Sequence, residues 1–97
     1  MAVMMVMDWP GIGAAEYEAA RKHVNWEGDV PPGAIFHVVA VTDRGVRVTD
    51  VWESAEEFNA FVQDRLMPGV KALGIPGEPT VELLPAHTVF APGFDQK

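Results

Sequence analysis

This 97-residue chain holds no cysteine, so its chemistry must rest on three histidines, one tyrosine, three tryptophans and a few charged side chains. His37 sits in the middle of an otherwise apolar run, Ala34 to Thr42. Burial of an imidazole favours its neutral form, which is the form a general base needs. His37 is therefore the leading catalytic candidate; the plainer alternative is a core histidine satisfied by one hydrogen bond or set at a subunit seam. Tyr17 shares a helical stripe with Ala20 and Val24, and its phenol could donate to a developing oxyanion or simply fill the core with its hydroxyl at the rim. Arg65 falls on the same helical stripe as Phe58, Phe61 and Val62, an unusual place for a guanidinium unless it meets an acid or an anionic substrate. Asp50, in a mostly apolar strand, also needs compensation, so an Arg65–Asp50 ion pair is expected ahead of a direct substrate role for either. Trp52, Phe58, Phe61, His87 and Asp50 complete the residues that could line a substrate site. Trp52, Trp9 and Trp26 could stack on an aromatic ligand or serve as core. His23 is off the stripe and reads as a surface residue.

Other chemistries find less support. The three histidines lie on three different elements, without the His-x-His or His-x-x-x-His spacing that gathers metal ligands, so no metal site is expected. Gly11-Ile12-Gly13 lacks the longer phosphate-cradling pattern and its acidic partner, so no nucleotide or other cofactor is expected either. A net charge of −7 with unclustered Lys and Arg would repel nucleic acid and anionic lipid. The run Met1 to Met7 is apolar but has no basic lead-in and soon meets Asp8 and Pro10, too short for a signal or a span. A cytoplasmic location is the default expectation.

The elements that must position these residues follow from pattern. A chain 48% hydrophobic and 22% charged is folded rather than a solvated linker, and its length makes one small domain. Residues 1–91 are assigned to that domain and 92–97 to a flexible C-terminal tail. Ala2 to Met7 reads as a strand buried on both faces, Ala14 to Asn25 as a helix, and Ala34 to Thr42 as a second strand. Val46 to Glu53 returns as a third strand. Ser54 then caps a helix by accepting from the amide of Glu57, whose side chain reaches back. Pro68 predicts a kink or break in that helix, with Val70 to Leu73 as a second piece. Thr80 to Phe90 is the fourth strand. The order is that of a ferredoxin-like α+β fold: βαββαβ, a four-stranded antiparallel sheet with two helices on one face.

Hairpin register decides what His37 faces. With a three-residue loop, Asp43-Arg44-Gly45, Phe36 opposes Trp52 and His37 lies on the other face beside Val51; with a two-residue loop His37 turns to face Trp52. The sequence leaves both open. Strands two and four are at opposite edges, so His37 and His87 could meet only across a dimer. Both parities of the first strand (Val3, Met5, Met7 and Ala2, Met4, Val6) and of the second (Ile35, Val39, Val41 and Phe36, Val38, Ala40) are apolar. Two helices cover one side of a sheet, so a second sheet from an identical chain is expected on the other.

The stretches Gly33-Ala34-Ile35-Phe36-His37, Val48-Thr49-Asp50-Val51-Trp52-Glu53-Ser54-Ala55-Glu56-Glu57-Phe58 and Arg65-Leu66-Met67-Pro68 resemble small proteins of the dimeric α/β-barrel superfamily. Within it the chain looks most like the antibiotic-biosynthesis-monooxygenase-like group. That resemblance implies two ferredoxin-like protomers joined into a barrel, a cavity between sheet and helices, and activities that include cofactor-free oxidation of polyphenols, haem breakdown and, in neighbouring branches, polyketide cyclisation. The haem-degrading relatives carry Asn on the first strand and Trp and His on the second helix; this chain offers Val6, Met7 and Asp8, then Phe61 and Lys71. Haem degradation is not expected. Two functions stay open: a cofactor-independent oxygenase or cyclase acting on a hydrophobic aromatic or polyketide-like molecule, with His37 as base and Tyr17 or Arg65 at the oxyanion, or a non-enzymatic homodimeric module binding a small ligand or a protein.

Overall fold

The computed structural model describes residues 1–94. Strands β1 (Val3–Pro10), β2 (Ala34–Val41), β3 (Gly45–Trp52) and β4 (Thr80–Pro85) form one antiparallel sheet in the order β2-β3-β1-β4. Helix α1 (Ala14–Val24) follows β1, and helices α2 (Ala55–Phe61) and α3 (Met67–Leu73) follow β3, which gives the expected ferredoxin-like arrangement. Alternation explains the layering: Met5, Met7 and Trp9 of β1 and Val46, Val48 and Trp52 of β3 point to the helices and pack with Phe58, Leu66 and Val70.

Several boundaries differ from the sequence reading. β1 does not stop at Met7 but runs on to Pro10, because Trp9 is buried, pairs with Val46, and donates its indole N–H to Pro76 O at 2.9 Å. Pro10 is tolerated there since β4 pairs with β1 only as far as Asp8, leaving the end of β1 with one neighbour. Nor is β1 buried on both faces within the chain: the helices cover one row, and Met4 on the other remains 36% exposed. β4 ends at Pro85 rather than Phe90, because the last ladder bond is Ala86 N–H to Ala2 O and β1 offers no further partner. His87 therefore lies beyond the strand on which it was expected. The expected tail begins in a single 3₁₀ turn, Pro92–Phe94, and its last three residues lie outside the described ones.

The hairpin resolves to the two-residue loop, with Thr42 and Gly45 exchanging backbone bonds around Asp43 and Arg44. Gly45 is thus the first residue of β3 and not a loop residue. Its φ of +154° and the backbone of Trp9 and Pro10 pressed against it leave no room for a Cβ. At the other end of the connection Ser54 Oγ accepts the Glu57 amide at 3.2 Å and donates to the Glu57 carboxylate at 2.9 Å, the expected cap.

Pro68 does not break the second helix. Its ring removes one donor and would clash with the carbonyl four residues back. The chain instead widens into a π-helical turn over Val62–Leu66, where Met67 N–H bonds Val62 O, and continues as α3. Gly74, in the left-handed region, ends it, with Ile75 N–H returning to Val70 O at 3.1 Å.

Candidate active site

The two-residue hairpin sets Asp50 directly opposite His37, and the period of two puts Trp52 on the same helix-facing side. A bulge between Ala34 and Phe36 displaces Ile35 just before His37, re-aiming the end of an edge strand. α1 then lays Tyr17 over the histidine. The outcome is a linear chain of hydrogen bonds: Tyr17 Oη to His37 Nε2 at 2.9 Å, His37 Nδ1 to Asp50 Oδ1 at 2.6 Å, and Trp52 Nε1 donating to Asp50 Oδ2 at 3.0 Å.

Asp50 is the only charged residue in the core of the described chain, 7% exposed, and each of its oxygens receives one donor. A buried carboxylate satisfied in this way costs far less than an orphaned one. Because a carboxylate only accepts, His37 Nδ1 carries the proton of that bond. The Tyr17 phenol is pushed above its ordinary pKa, chiefly by burial and further by the charges of Glu27, Glu18 and Asp50, against the opposing pull of Arg21.

These groups open on a cavity of about 370 Å³ between sheet and helices, a size that suits a small organic ligand. Its walls are apolar and aromatic, with Met5, Met7, Trp26, Trp52, Phe58 and Phe61 around the polar chain. The aromatics interlock: Trp26 meets His37 edge-on at 5.6 Å between centroids, and Trp52 contacts both Phe58 and Phe61 at 5.5 Å. Trp26 Nε1 is buried and finds no acceptor among the described residues.

Of the residues singled out from the sequence, Tyr17, His37, Asp50, Trp52, Phe58 and Phe61 all reach this cavity. Arg65 does not. The expected Arg65–Asp50 pair is absent; Arg65 Nη2 instead donates to Val24 O at 3.1 Å, lies 3.8 Å from Asp29, and covers the Phe61 ring at 5.5 Å. It satisfies an orphan carbonyl at the C-terminus of α1, where a cation is favoured. His87 is also separated from the cavity, bordering a hollow over the opposite, outer face of the sheet with Met4, Val38 and Leu84. Sequence reasoning gave Trp26 no more than a generic stacking role, and its position just after the Asn25 cap of α1 was the available signal. Among the described residues no group of three His, Asp or Glu side chains is arranged to hold a metal, and no helix is long and apolar enough to cross a membrane.

No protein-family model matches the chain, and no curated protein matches it. Solved structures do share its fold. SnoaB from Streptomyces nogalater, described as a cofactor-independent oxygenase, is 22% identical over 91% of this chain and 95% of its own, with a TM-score of 0.67. A monooxygenase from the gene ActVA-Orf6 of Streptomyces coelicolor, solved in complex with Nanaomycin D, is 19% identical over 94% of this chain and 92% of its own, with a TM-score of 0.61. The ferredoxin-like fold read from the sequence is thus one the chain shares with these structures and with a protein from Chloroflexus aurantiacus described as a putative antibiotic biosynthesis monooxygenase, 14% identical over 93% of this chain and 98% of its own, with a TM-score of 0.60.

Proposed function

We propose that this chain is a cofactor-independent enzyme that oxygenates or cyclises a hydrophobic aromatic or polyketide-like molecule held in the inner cavity. The observation that carries the reading is the Tyr17–His37–Asp50 chain opening on an apolar, aromatic-walled space. An enol or phenol of the substrate loses its proton to the imidazole system, and Asp50 stabilises the imidazolium that forms. For oxygenation of a ring CH₂ flanked by aryl groups, the resulting carbanion adds O₂ and takes up a proton to give a hydroperoxide, which loses water to leave a carbonyl. One O₂ is consumed per water and per new C=O. The similar proteins named above, a cofactor-independent oxygenase and a monooxygenase in complex with Nanaomycin D, support the oxygenation reading by analogy of fold. Arg65 has no part in this chemistry. A histidine with only apolar neighbours would have favoured a non-enzymatic binding module; His37 has a polar partner at each ring nitrogen.

A second copy on the outer sheet face belongs to the same reading, because Met4, Val38 and Leu84 there are more than a third exposed. So does a cytoplasmic site of action. The test is oxygen uptake with 1,8-dihydroxyanthrone in chelator-treated buffer, with light scattering on the same sample. Consumption of one O₂ per anthrone converted and a particle of about twice the chain mass are expected. Absence of uptake across a panel of anthrones and phenolic polyketides, with no cyclised product, would overturn the enzymatic reading.

A further inference from the structure

Tyr17 and His37 both line the cavity, and Tyr17 occupies the ring nitrogen that the histidine would use as base. His37 Nδ1 donates to Asp50, so a neutral His37 has one remaining acceptor, Nε2, and Tyr17 Oη lies 2.9 Å from it. The phenol therefore spends its single proton on His37. Its ring is nearly parallel to the imidazole, at 14°, with centroids 6.2 Å apart, while Trp26 closes in edge-on. Trp52 donates to the other oxygen of Asp50. Every proton along the chain thus points toward Asp50, and the free end is the lone-pair side of the Tyr17 oxygen.

We propose that Tyr17, rather than His37, is the group that meets the substrate hydroxyl, and that it relays the proton to His37. This rests on the reading of the inner cavity as the reaction site and refines it. The substrate O–H proton passes to the Tyr17 oxygen while the phenolic proton passes to His37 Nε2. A neutral acid and a neutral imidazole become an oxyanion and an imidazolium paired with Asp50, and Tyr17 ends the step as a neutral phenol. Its newly acquired proton then bonds the oxyanion, so one residue is acceptor first and oxyanion donor afterwards. Burial, which holds Tyr17 in its protonated form, keeps the relay loaded in the resting protein. The ligand class is an acidic phenol or enol on a planar apolar body.

The test needs no turnover. 1,2-Dihydroxyanthraquinone changes colour when its hydroxyl ionises, and it is offered to the full chain at one pH unit below its own pKa, where about a tenth of the free dye is ionised. Tryptophan fluorescence quenching reports binding and dye absorbance reports ionisation. Wild type is expected to bind it mostly as the anion; Tyr17→Phe and His37→Gln should bind it as the neutral form. An anion on Tyr17→Phe means His37 takes the proton directly, and a wild type that leaves the dye neutral or does not bind it has no such relay; either result overturns the proposal. Circular dichroism melting confirms that both variants are folded. Oxygen uptake with anthrone, run in parallel, keeps the two ideas apart. Uptake without Tyr17-dependent ionisation removes the relay and leaves the oxygenase, whereas Tyr17-dependent ionisation without uptake does the reverse.

Discussion

The two faces of the sheet are built from the same four strands and the same kinds of residue, yet they solve opposite problems. The helix-facing side holds one polar cross-strand pair, His37 and Asp50, in an apolar layer and meets its hydrogen-bonding demand from Tyr17 and Trp52. The outer side is apolar along Met4, Val51, Val38 and Leu84, carries no comparable buried pair among the described residues, and stays open. An apolar layer that is already covered can afford a polar device, because neighbours supply its partners; a layer awaiting cover cannot. Chemistry and assembly are therefore separable, and each prediction below acts on one face and leaves the other as a control.

The largest effect is expected from His37→Ala. It should lower turnover by roughly 10²–10⁴-fold while the particle mass is unchanged, as read by steady-state kinetics and light scattering. Unchanged activity per folded molecule would make His37 a packing residue. Asp50→Asn should come next. Its amide offers one acceptor where two are needed, and the NH₂ would push His37 into the other tautomer, reversing the direction of the hydrogen bonds to Tyr17. A stability loss of about 1–3 kcal/mol is expected by urea unfolding, together with loss of dye ionisation. A variant as stable and as active as the parent would break the account of the inner face.

On the opposite side, Leu84→Glu places a charge on the outer face of edge strand β4, remote from His37 by the width of the sheet. It should yield a monomer by sedimentation without altering dye binding; a persisting dimer would mean that the copies meet elsewhere. Arg65→Met removes the hydrogen bond to Val24 O and the cover over Phe61. About 1 kcal/mol of stability should go, with kcat unchanged. A selective loss of kcat would restore Arg65 to the reaction. The smallest effect is spectroscopic. Tyr17 is the only tyrosine, so tyrosinate absorbance reads it alone. Ionisation of the folded chain should come above the usual value of about 10 and return to it in urea. With the folded pKa raised, stability is full below pH of about 10 and falls as pH rises from there toward the folded value. A titration at or below the ordinary value would contradict the burial of the phenol.

Much of the scaffold was legible because it rests on local signals. Apolar alternation, the Ser54–Glu57 cap and the turn residues fix the order of strands and helices without reference to distant parts of the chain. The site was half legible. Tyr17, His37 and Asp50 each stood out as polar groups in apolar stripes, but their connection depends on a hairpin register that hinges on Gly45. That glycine reads equally well as a loop residue, and what assigns it to β3 is the backbone of β1 pressed against it, a contact 35 residues away in sequence. The expected Arg65–Asp50 pair is absent for a related reason. The acceptor of Arg65 is a backbone carbonyl at the end of α1, and carbonyls have no letter in a sequence.

The widened turn at Val62–Leu66 has a geometric consequence for the whole second helix. Twelve residues separate Phe58 from Val70, and at 3.6 per turn they would set the two side chains about 120° apart. A π-helical turn takes up roughly one residue of excess, leaving the equivalent of about three whole turns, so both side chains face the sheet. The bulge thus acts as a phase corrector. Shortening the chain by one residue inside it would restore regular winding with both anchors still seated, whereas the same deletion between Phe58 and Phe61 would swing one anchor off the core.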